Sequence, residues 1–381
     1  MLKRFYISVF ALLFSLFLYI PAYSSNNEEL LLVLSERGDL EGVKKVIANG
    51  VDVNATDKNS YTALIKTLTS PYFNPEVMRT LIKAGADVNV KGNDGFTPVM
   101  AAAYLVKNPD IINELIKAGA NVNAKLNDGQ TALMFAMNRY DSNYKIIKTL
   151  IDAGANVNAK EEKGVTVLMM AADYQPTQII KELIRAGANV NLKDRAGFTA
   201  LIRAASGNTD QNVIVALVKA GADLTVKNNE GNTALIQALA FNKNFLVAKI
   251  LIQLGADVNV RNFYEQTALM LSVQRPDPTV TTELLKAGAN INAKDKNGNT
   301  ALMLAMGHYS DTFLYSDDEY QEDQPKEANV SLFIKPKVIT TLIEFGADIT
   351  LRNKNGYTAL DIAKLKNNTQ AVEFLTKAGA K

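Results

Sequence analysis

The chain has 381 residues, of which 48% are hydrophobic and 21% are charged, so it can bury a folded core. Its formal net charge is +2, and two positive charges lie in the first four residues, at Lys3 and Arg4. The nearly neutral remainder argues against nucleic-acid binding, which needs a clustered basic surface. The absence of cysteine and the single histidine, His308, exclude disulfides, a cysteine nucleophile and a zinc site of thiolates and imidazoles.

The beginning of the chain has the layout of a secretory signal peptide. A positively charged start precedes a continuous apolar run over 5–20, which is followed by Pro21 and a small-residue pattern over 22–24. This order predicts a signal peptide over residues 1–24, cleaved after Ser24. The run is shorter than the roughly 20 apolar residues of a membrane helix, but an uncleaved membrane anchor is the alternative. In both cases we expect export, either to a periplasm or out of the cell.

The remainder of the chain contains one sequence motif that recurs many times. A glycine follows each predicted second helix, at Gly85, Gly119, Gly154, Gly187, Gly221, Gly255, Gly288, Gly346 and Gly379. A threonine recurs at nearly the same spacing, at Thr62, Thr97, Thr131, Thr166, Thr199, Thr233, Thr267, Thr300 and Thr358. The spacing is close to 34 residues apart from one longer step, between Gly288 and Gly346. A repeat of this length predicts an array of similar structural units.

The sequence of each repeat predicts a turn followed by two helices. Thr97 can cap the first helix, and Pro98 suits its first position. A small residue five positions after the threonine lets neighbouring helices approach closely. The second helix ends as in Leu115–Gly119, where the glycine accepts the left-handed conformation. A turn such as 93–95 then reverses the chain.

These residues make the chain resemble an ankyrin-repeat protein, whose unit of about 33 residues carries a Thr-Pro-Leu-His-x-Ala motif. The resemblance extends over 27–381 and implies an all-α solenoid of stacked helix-turn-helix units with short β-hairpin fingers. Within it we expect an N-terminal capping repeat over 27–56, eight repeats over 57–352 and a C-terminal capping repeat over 353–381, since end repeats need a polar outer face.

The sequence departs from the family pattern in two ways, and we draw a structural expectation from each. The motif histidine is replaced throughout, by Ile65, Met100, Met134, Met169, Ile202, Ile236, Met270, Met303 and Asp361. We expect apolar packing to replace the hydrogen bonds of that histidine, since methionine fills irregular gaps. Ser60 and Glu265 stand where other turns have glycine, and we expect these two hairpins to differ in shape.

The longer spacing between Gly288 and Gly346 indicates an acidic insert at about 308–336, between the two helices of one repeat. The insert is rich in aspartate and glutamate, and its lysines are Lys326 and, at its end, Lys335. It is interpreted as a tolerated surface insertion, with a docking tail for a basic partner as the sharper alternative. A calcium loop needs a turn-forming glycine, which this stretch lacks.

No catalytic constellation is present: the chain has no Gly-rich phosphate loop, no GxSxG and no HExxH. We therefore expect no enzyme activity, no cofactor and no metal site. The resemblance implies instead a scaffold for protein–protein interaction, with a long concave face lined by hairpins and first helices. We expect a monomer that binds a protein of unknown identity and no nucleic acid, with membrane contact only if the N-terminal segment is retained.

The residue before each motif threonine varies, and aromatic residues are favoured anchors at interfaces. The candidate binding residues are Tyr61, Phe96, Phe198, Phe263, Tyr264 and Tyr357. The alternative is that each ring merely covers the adjacent arm of the next repeat. For the whole protein, the alternative is a membrane-tethered chain that organises or shields another envelope protein.

Overall fold

A computed structural model describes residues 27–106, 108–137, 143–242, 244–275, 277–306 and 336–381. The predicted signal peptide and, up to residue 335, the acidic insert with His308 lie outside these residues. The chain divides into two compact units, the first ending at Asn127 and the second beginning at Asp128. Within the described ranges of both units the regular structure is entirely helical.

The first unit contains six α-helices and one π-helical turn among its described residues. The α-helices are α1 (Asn27–Glu36), α2 (Leu40–Ala48), α3 (Ala63–Thr69), α4 (Pro75–Lys83), α5 (Pro98–Ala101) and α6 (Pro109–Lys117). The π-helical turn, Ala102–Val106, continues α5 directly. Helix α3 packs against both α1 and α5, and α2 packs against α4, so first and second helices form separate layers.

The second unit repeats the same arrangement over a longer stretch. Its helices are α7 (Ala132–Phe135), α8 (Tyr144–Asp152), α9 (Val167–Tyr174), α10 (Thr177–Arg185), α11 (Ala200–Gly207), α12 (Gln211–Lys219), α13 (Ala234–Phe241), α14 (Phe245–Gln253), α15 (Ala268–Ser272), α16 (Thr279–Lys286), α17 (Ala301–Ala305), α18 (Pro336–Glu344), α19 (Ala359–Leu365) and α20 (Thr369–Lys377). Helices α9, α11 and α13 pack in series, as do α10, α12 and α14. Helices α17 and α18, on either side of the insert, contact each other.

The motif threonines cap most of the first helices. In the second unit, Thr131 Oγ1 accepts the amide of Met134 at 3.4 Å, and the later repeats show the same bond. The caps expected at Thr62 and Thr97 are absent, and both hydroxyl oxygens are buried without a hydrogen-bond partner. The bond is already long where it forms, so a small displacement of the threonine removes it.

The second helices end as the repeat pattern predicts. After α6, Gly119 adopts φ 95° and donates its amide to Ile116 O at 2.9 Å, while Ala120 donates to Leu115 O at 2.9 Å. This pair of bonds is a Schellman motif, which satisfies carbonyls that the helix leaves unpaired.

The residues that replace the family's motif histidine are buried in all but the last repeat. Met100 and Ile65 have no exposed surface, and Met169 and Ile202 are each 1% exposed. Apolar packing therefore fills these positions, as expected. In the last repeat Asp361 instead forms a capping box with Thr358, because its carboxylate accepts the Thr358 amide at 2.9 Å.

The fingers between repeats are turns, and some of them are closed by a single backbone bridge. Among the described residues, isolated antiparallel bridges join Thr56 to Thr62 and Lys160 to Thr166, and no strand forms. The β-hairpins expected from the family are thus reduced to their turns.

Candidate protein-binding site

Each hairpin starts five residues before its motif threonine, with a side chain that usually accepts backbone amides. In the second unit, Asn262 Oδ1 accepts the amides of Tyr264 at 3.0 Å and Gln266 at 2.9 Å. Successive tips are joined, since Lys296 donates its amide to the carbonyl of Tyr264 at 3.2 Å. Within each unit the hairpins therefore hold varied side chains on a repeated backbone.

The two turns that lack glycine have the same backbone conformation as the others. Ser60 has φ 62° and Glu265 has φ 58°, in the left-handed region that Gly95 occupies at φ 88°. Ser60 donates its amide to Asp57 O at 2.9 Å, and Gly95 donates to Gly92 O at 2.8 Å. The expectation of a different hairpin shape was wrong. The turn's hydrogen bonds impose the conformation, at a cost of about 1–2 kcal/mol for a residue with a Cβ.

The six candidate aromatic residues differ in exposure. Three are exposed: Phe263 (61%), Tyr264 (61%) and Tyr357 (42%). Three are half-buried: Tyr61, Phe96 and Phe198. The ring of Tyr264 lies 5.7 Å from the ammonium nitrogen of Lys296, close enough for a cation–π interaction. Phe263 and Tyr264 therefore form the most exposed aromatic pair at a described hairpin tip.

Tyr61 and Phe96 form a ring pair in the first unit. Their ring centroids are 6.3 Å apart, and the ring planes are inclined by 36°. A Cβ added to Gly92, the first residue of the next hairpin, would lie 2.4 Å from Tyr61 Cε1. Burial, and then the nearby carboxylates of Asp94 and Asp57, raise the pKa of the Tyr61 hydroxyl. Tyr61 thus covers the adjacent arm of the next repeat, which is the alternative to a binding role stated above for these rings.

Phe198 lies beneath a guanidinium group in the second unit. The Cζ atom of Arg203 is 5.7 Å from the centre of the Phe198 ring. Arg203 also forms ion pairs with Asp194 at 2.7 Å and with Asp173 at 3.1 Å. Burial by itself lowers the pKa of this guanidinium, but the two carboxylates raise it above its ordinary value. Arg203 is therefore a fixed cation on the first helix of its repeat.

Sequence reasoning missed an ion pair that two repeats form between the hairpin and its own first helix. Asp57 pairs with Lys66 at 3.1 Å, and Asp194 pairs with Arg203 at 2.7 Å. In both repeats the two residues are nine positions apart, the hairpin's first residue and the fourth residue after the threonine. Opposite charges at this spacing were visible in the sequence and could have identified the pairs.

A second missed feature is a hydrogen bond between amide side chains at two junctions of successive hairpins in the second unit. Asn262 Nδ2 donates to Asn232 Oδ1 at 3.1 Å, and Asn353 Nδ2 donates to Asn299 Oδ1 at 2.9 Å. The donor is the first residue of a hairpin, and the acceptor precedes the threonine of the preceding repeat. These bonds lie beside the candidate aromatic positions.

The described ranges contain no group of three or more acidic, histidine or cysteine side chains that could hold a metal ion. Across the same ranges, no helix has the length and apolar character required to cross a membrane. What the geometry does provide is a set of protruding hairpins whose aromatic and polar side chains differ from repeat to repeat.

The repeat pattern matches family models along most of the chain. The model described as "Ankyrin repeats (3 copies)" matches residues 30–125, 72–161, 103–194, 168–262 and 240–315. The model described as "Ankyrin repeats (many copies)" matches residues 335–376. The chain belongs to the ankyrin-repeat family. Ankyrin repeats indicate a scaffold for protein–protein interaction, and proteins built from them are generally non-catalytic.

Similar proteins include the putative ankyrin repeat protein YahD of Escherichia coli K12, with 36% identity over 69 residues, 18% of this chain and 33% of that protein. The ankyrin repeat-containing protein P1E11.10 of Schizosaccharomyces pombe is 29% identical over 73 residues, 19% of this chain and 34% of that protein. The chain thus spans about a third of the length of these curated relatives. Among solved structures, the human ASB11 ankyrin repeat domain matches with TM-score 0.50 and 25% identity, over 60% of this chain and 98% of that domain.

Proposed function

We propose that this chain is an exported, non-catalytic scaffold that binds a protein partner through its hairpins and first helices. The observation that carries the proposal is the exposure of Phe263 and Tyr264, each 61%, at one hairpin tip. Aromatic residues that are both exposed and held on a fixed backbone bind a partner at low cost in conformational entropy. Export rests on the layout of residues 1–24, which is that of a signal peptide.

Binding is tested by capture from the producing cell's envelope, with the partner identified by mass spectrometry. The chain is compared with a Phe263→Ala, Tyr264→Ala double variant and with a Tyr72→Ala control. Tyr72 is 62% exposed but lies between α3 and α4, away from the hairpins. We expect one protein to be retained by the chain and the control and lost by the double variant. Equal retention by all three would place binding elsewhere.

Export is tested separately, by cell fractionation and by the mass of the purified chain. A processed chain beginning at Ser25 in the envelope or medium supports the proposal. An unprocessed chain in the membrane fraction would favour the tethered form, which organises or shields another envelope protein. An unprocessed chain in the cytoplasm would contradict export.

A further inference from the structure

Three consecutive hairpins of the second unit carry an aromatic pair and then two lysines at their tips. The residue directly after the hairpin's first residue is Phe263, then Lys296, then Lys354. The tips are adjacent, because Lys296 donates its amide to Tyr264 O at 3.2 Å and Lys354 donates its amide to Asn297 O at 3.0 Å. Phe263, Tyr264, Lys296 and Lys354, here called the tip surface, therefore follow one another along a hydrogen-bonded row of hairpins.

Both lysines of the tip surface present their ammonium groups to solvent. Lys296 and Lys354 are exposed, and neither forms an ion pair with a carboxylate of the described residues. The Lys296 ammonium nitrogen lies 5.7 Å from the centre of the Tyr264 ring, which joins the first cation to the aromatic pair. The tip surface thus combines exposed aromatic rings with two cations that lack an acidic partner.

The other cations of these three hairpins are engaged within the fold. Lys294 Nζ donates to the carbonyl oxygen of Arg352 at 2.9 Å. The guanidinium of Arg352 forms an ion pair with Asp361 at 3.5 Å, and that of Arg261 forms one with Glu265 at 3.3 Å. Only the lysines of the tip surface therefore keep their charge for another molecule.

The remaining carboxylates of these hairpins and of the arm between them accept hydrogen bonds within the fold. Asp295 is 8% exposed, and its Oδ1 accepts the amides of Asn297 and Asn299, each at 2.8 Å. Asp348 Oδ1 accepts the Thr350 hydroxyl at 2.6 Å and the Thr350 amide at 2.9 Å. Neither carboxylate is directed at the two exposed ammonium groups, which are left for an acidic partner.

Charge complementarity selects an acidic segment of a protein as the occupant. Complementary charges on two surfaces favour association and fix the register between them. Two cations without partners are few for a nucleic acid, whose affinity depends on the number of phosphates that are neutralised. The aromatic pair beside the lysines suits an apolar side chain of the same protein segment.

The spacing of the repeats selects the conformation of that segment. Packed helices lie about 8–10 Å apart, and successive hairpins follow the same step. An extended polyproline-type chain rises about 9 Å in three residues and returns its side chains to the same face. Carboxylates three positions apart therefore reach lysines on successive hairpins.

We propose that the tip surface binds an extended acidic segment of the protein partner. The segment places an apolar side chain on Phe263 and Tyr264, and carboxylates at three-residue spacing on Lys296 and Lys354. The inference deepens the proposed function and rests on it, because the aromatic pair is the same anchor for the same partner.

The probe is a fluorescein-labelled, C-terminally amidated peptide, Phe-Pro-Pro-Glu-Pro-Pro-Glu, whose binding to the full chain is measured by fluorescence anisotropy. One reference peptide has glutamine in place of both glutamates. A second, Phe-Pro-Glu-Glu-Pro-Pro-Pro, has the same composition and charge but lacks the three-residue spacing. We expect the probe to bind about fivefold more tightly than the glutamine peptide, since each exposed ion pair contributes little, and more tightly than the rearranged peptide.

A Lys296→Gln, Lys354→Gln double variant should abolish the preference for the acidic probe, which is again a loss of about fivefold in affinity. The matched control is a Lys181→Gln, Lys337→Gln variant. It removes the same charge from exposed positions on α10 and α18, away from the hairpins, and should bind the probe like the natural chain.

Equal affinity for the acidic and glutamine peptides, or equal losses in the two double variants, would overturn the proposal. Equal affinity for the rearranged peptide would overturn the three-residue spacing. An oligothymidylate of eight nucleotides that binds as tightly as the probe, and is lost with the same two lysines, would make the surface a nucleic-acid site instead.

The proposed function can fail separately from this inference. Capture of a protein through Phe263 and Tyr264 without a preference for the acidic peptide would leave the scaffold function standing and overturn the acidic segment. Binding of the acidic peptide that depends on the two lysines, with no protein captured from the envelope, would contradict the scaffold function and support the chemistry of the tip surface.

Discussion

Residues 57–101 of the first unit and residues 194–237 of the second start with the same elements. Each begins with an aspartate paired to a cation nine residues later, and each has an aromatic ring before the motif threonine. They differ in the repeat that follows. In the first unit the next hairpin has Gly92 and its helix has Ala101, whereas in the second unit Asn228 and Gln237 hold these positions.

The difference shows two ways in which a repeat array accommodates an aromatic ring. Where the neighbouring repeat has a small residue, as at Gly92, the Tyr61 ring takes the vacant space and becomes part of the structure. Where the neighbour keeps its amide, as at Asn228, the ring of Phe198 leaves a buried donor unsatisfied. The residue that follows in the next repeat therefore decides how each of the two rings is accommodated.

The largest expected effect comes from removing the cation in the second region. Asp194 is only 4% exposed, and Arg203→Met would leave its carboxylate buried without a counter-ion. We expect the free energy of unfolding to fall by about 3 kcal/mol. In the first region the Asp57 side chain is 20% exposed, and Lys66→Met should cost less than about 1 kcal/mol. Chemical denaturation of both variants checks the contrast, which equal losses would contradict.

A side chain at Gly92 should clash with the Tyr61 ring. The added Cβ of Gly92→Ala would lie 2.4 Å from Tyr61 Cε1, and we expect a loss of about 2 kcal/mol in unfolding free energy. In a Tyr61→Ala background the same substitution should cost much less, because the ring is gone. Additive losses in the double variant, measured by the same denaturation experiment, would mean that the ring does not fill this space.

Exchanging the aromatic and amide residues should sharpen the comparison within the second unit. Asn232→Phe removes the acceptor of Asn262 Nδ2 and the donor to Gln237 Oε1, and we expect a loss of about 1.5 kcal/mol. Phe198→Asn satisfies Asn228 Nδ2, which offsets the lost burial of a half-buried ring, so it should cost less. Thermal unfolding of both variants shows which substitution costs more stability. A larger loss from Phe198→Asn would mean that the Phe198 ring contributes mainly to the stability of the fold.

The smallest effect concerns acid stability in the first region. Burial by itself raises the pKa of Asp57, but the amides of Tyr61 and Asn59 and the Lys66 ammonium bring it below its ordinary value of 3.8. A carboxyl group with a lowered folded-state pKa stabilises the fold above its unfolded pKa, and this stability is lost as the pH falls through the folded value.

The stability difference between the natural chain and Asp57→Asn should therefore be constant at neutral pH and shrink below about pH 4. Denaturation midpoints measured for both chains from about pH 7 to about pH 2.5 check the trend. A difference that stays constant over the whole range would show that the charge of Asp57 contributes nothing.

The amino-acid sequence was sufficient to predict the helical repeat. Threonine, small residue and glycine recur at fixed spacing, and each acts within one turn or one helix end, where local geometry decides the outcome. The Schellman motif at Gly119 and the burial of Met100 followed from these positions alone. The exposed hairpin tip at Phe263 and Tyr264 could also be predicted, because two adjacent aromatic residues lie in a turn.

The relations between repeats were decided by the tertiary structure. The sequence assigned different shapes to the turns of Ser60 and Glu265, but hydrogen bonds in the folded turn give both the left-handed conformation of the glycines. It also placed Tyr61 and Phe198 in one list of candidate binding residues, without showing how each ring packs on the next repeat. Whether a ring covers its neighbour or leaves a donor unpaired depends on a residue about 30 positions later, since only stacking brings the two repeats into contact.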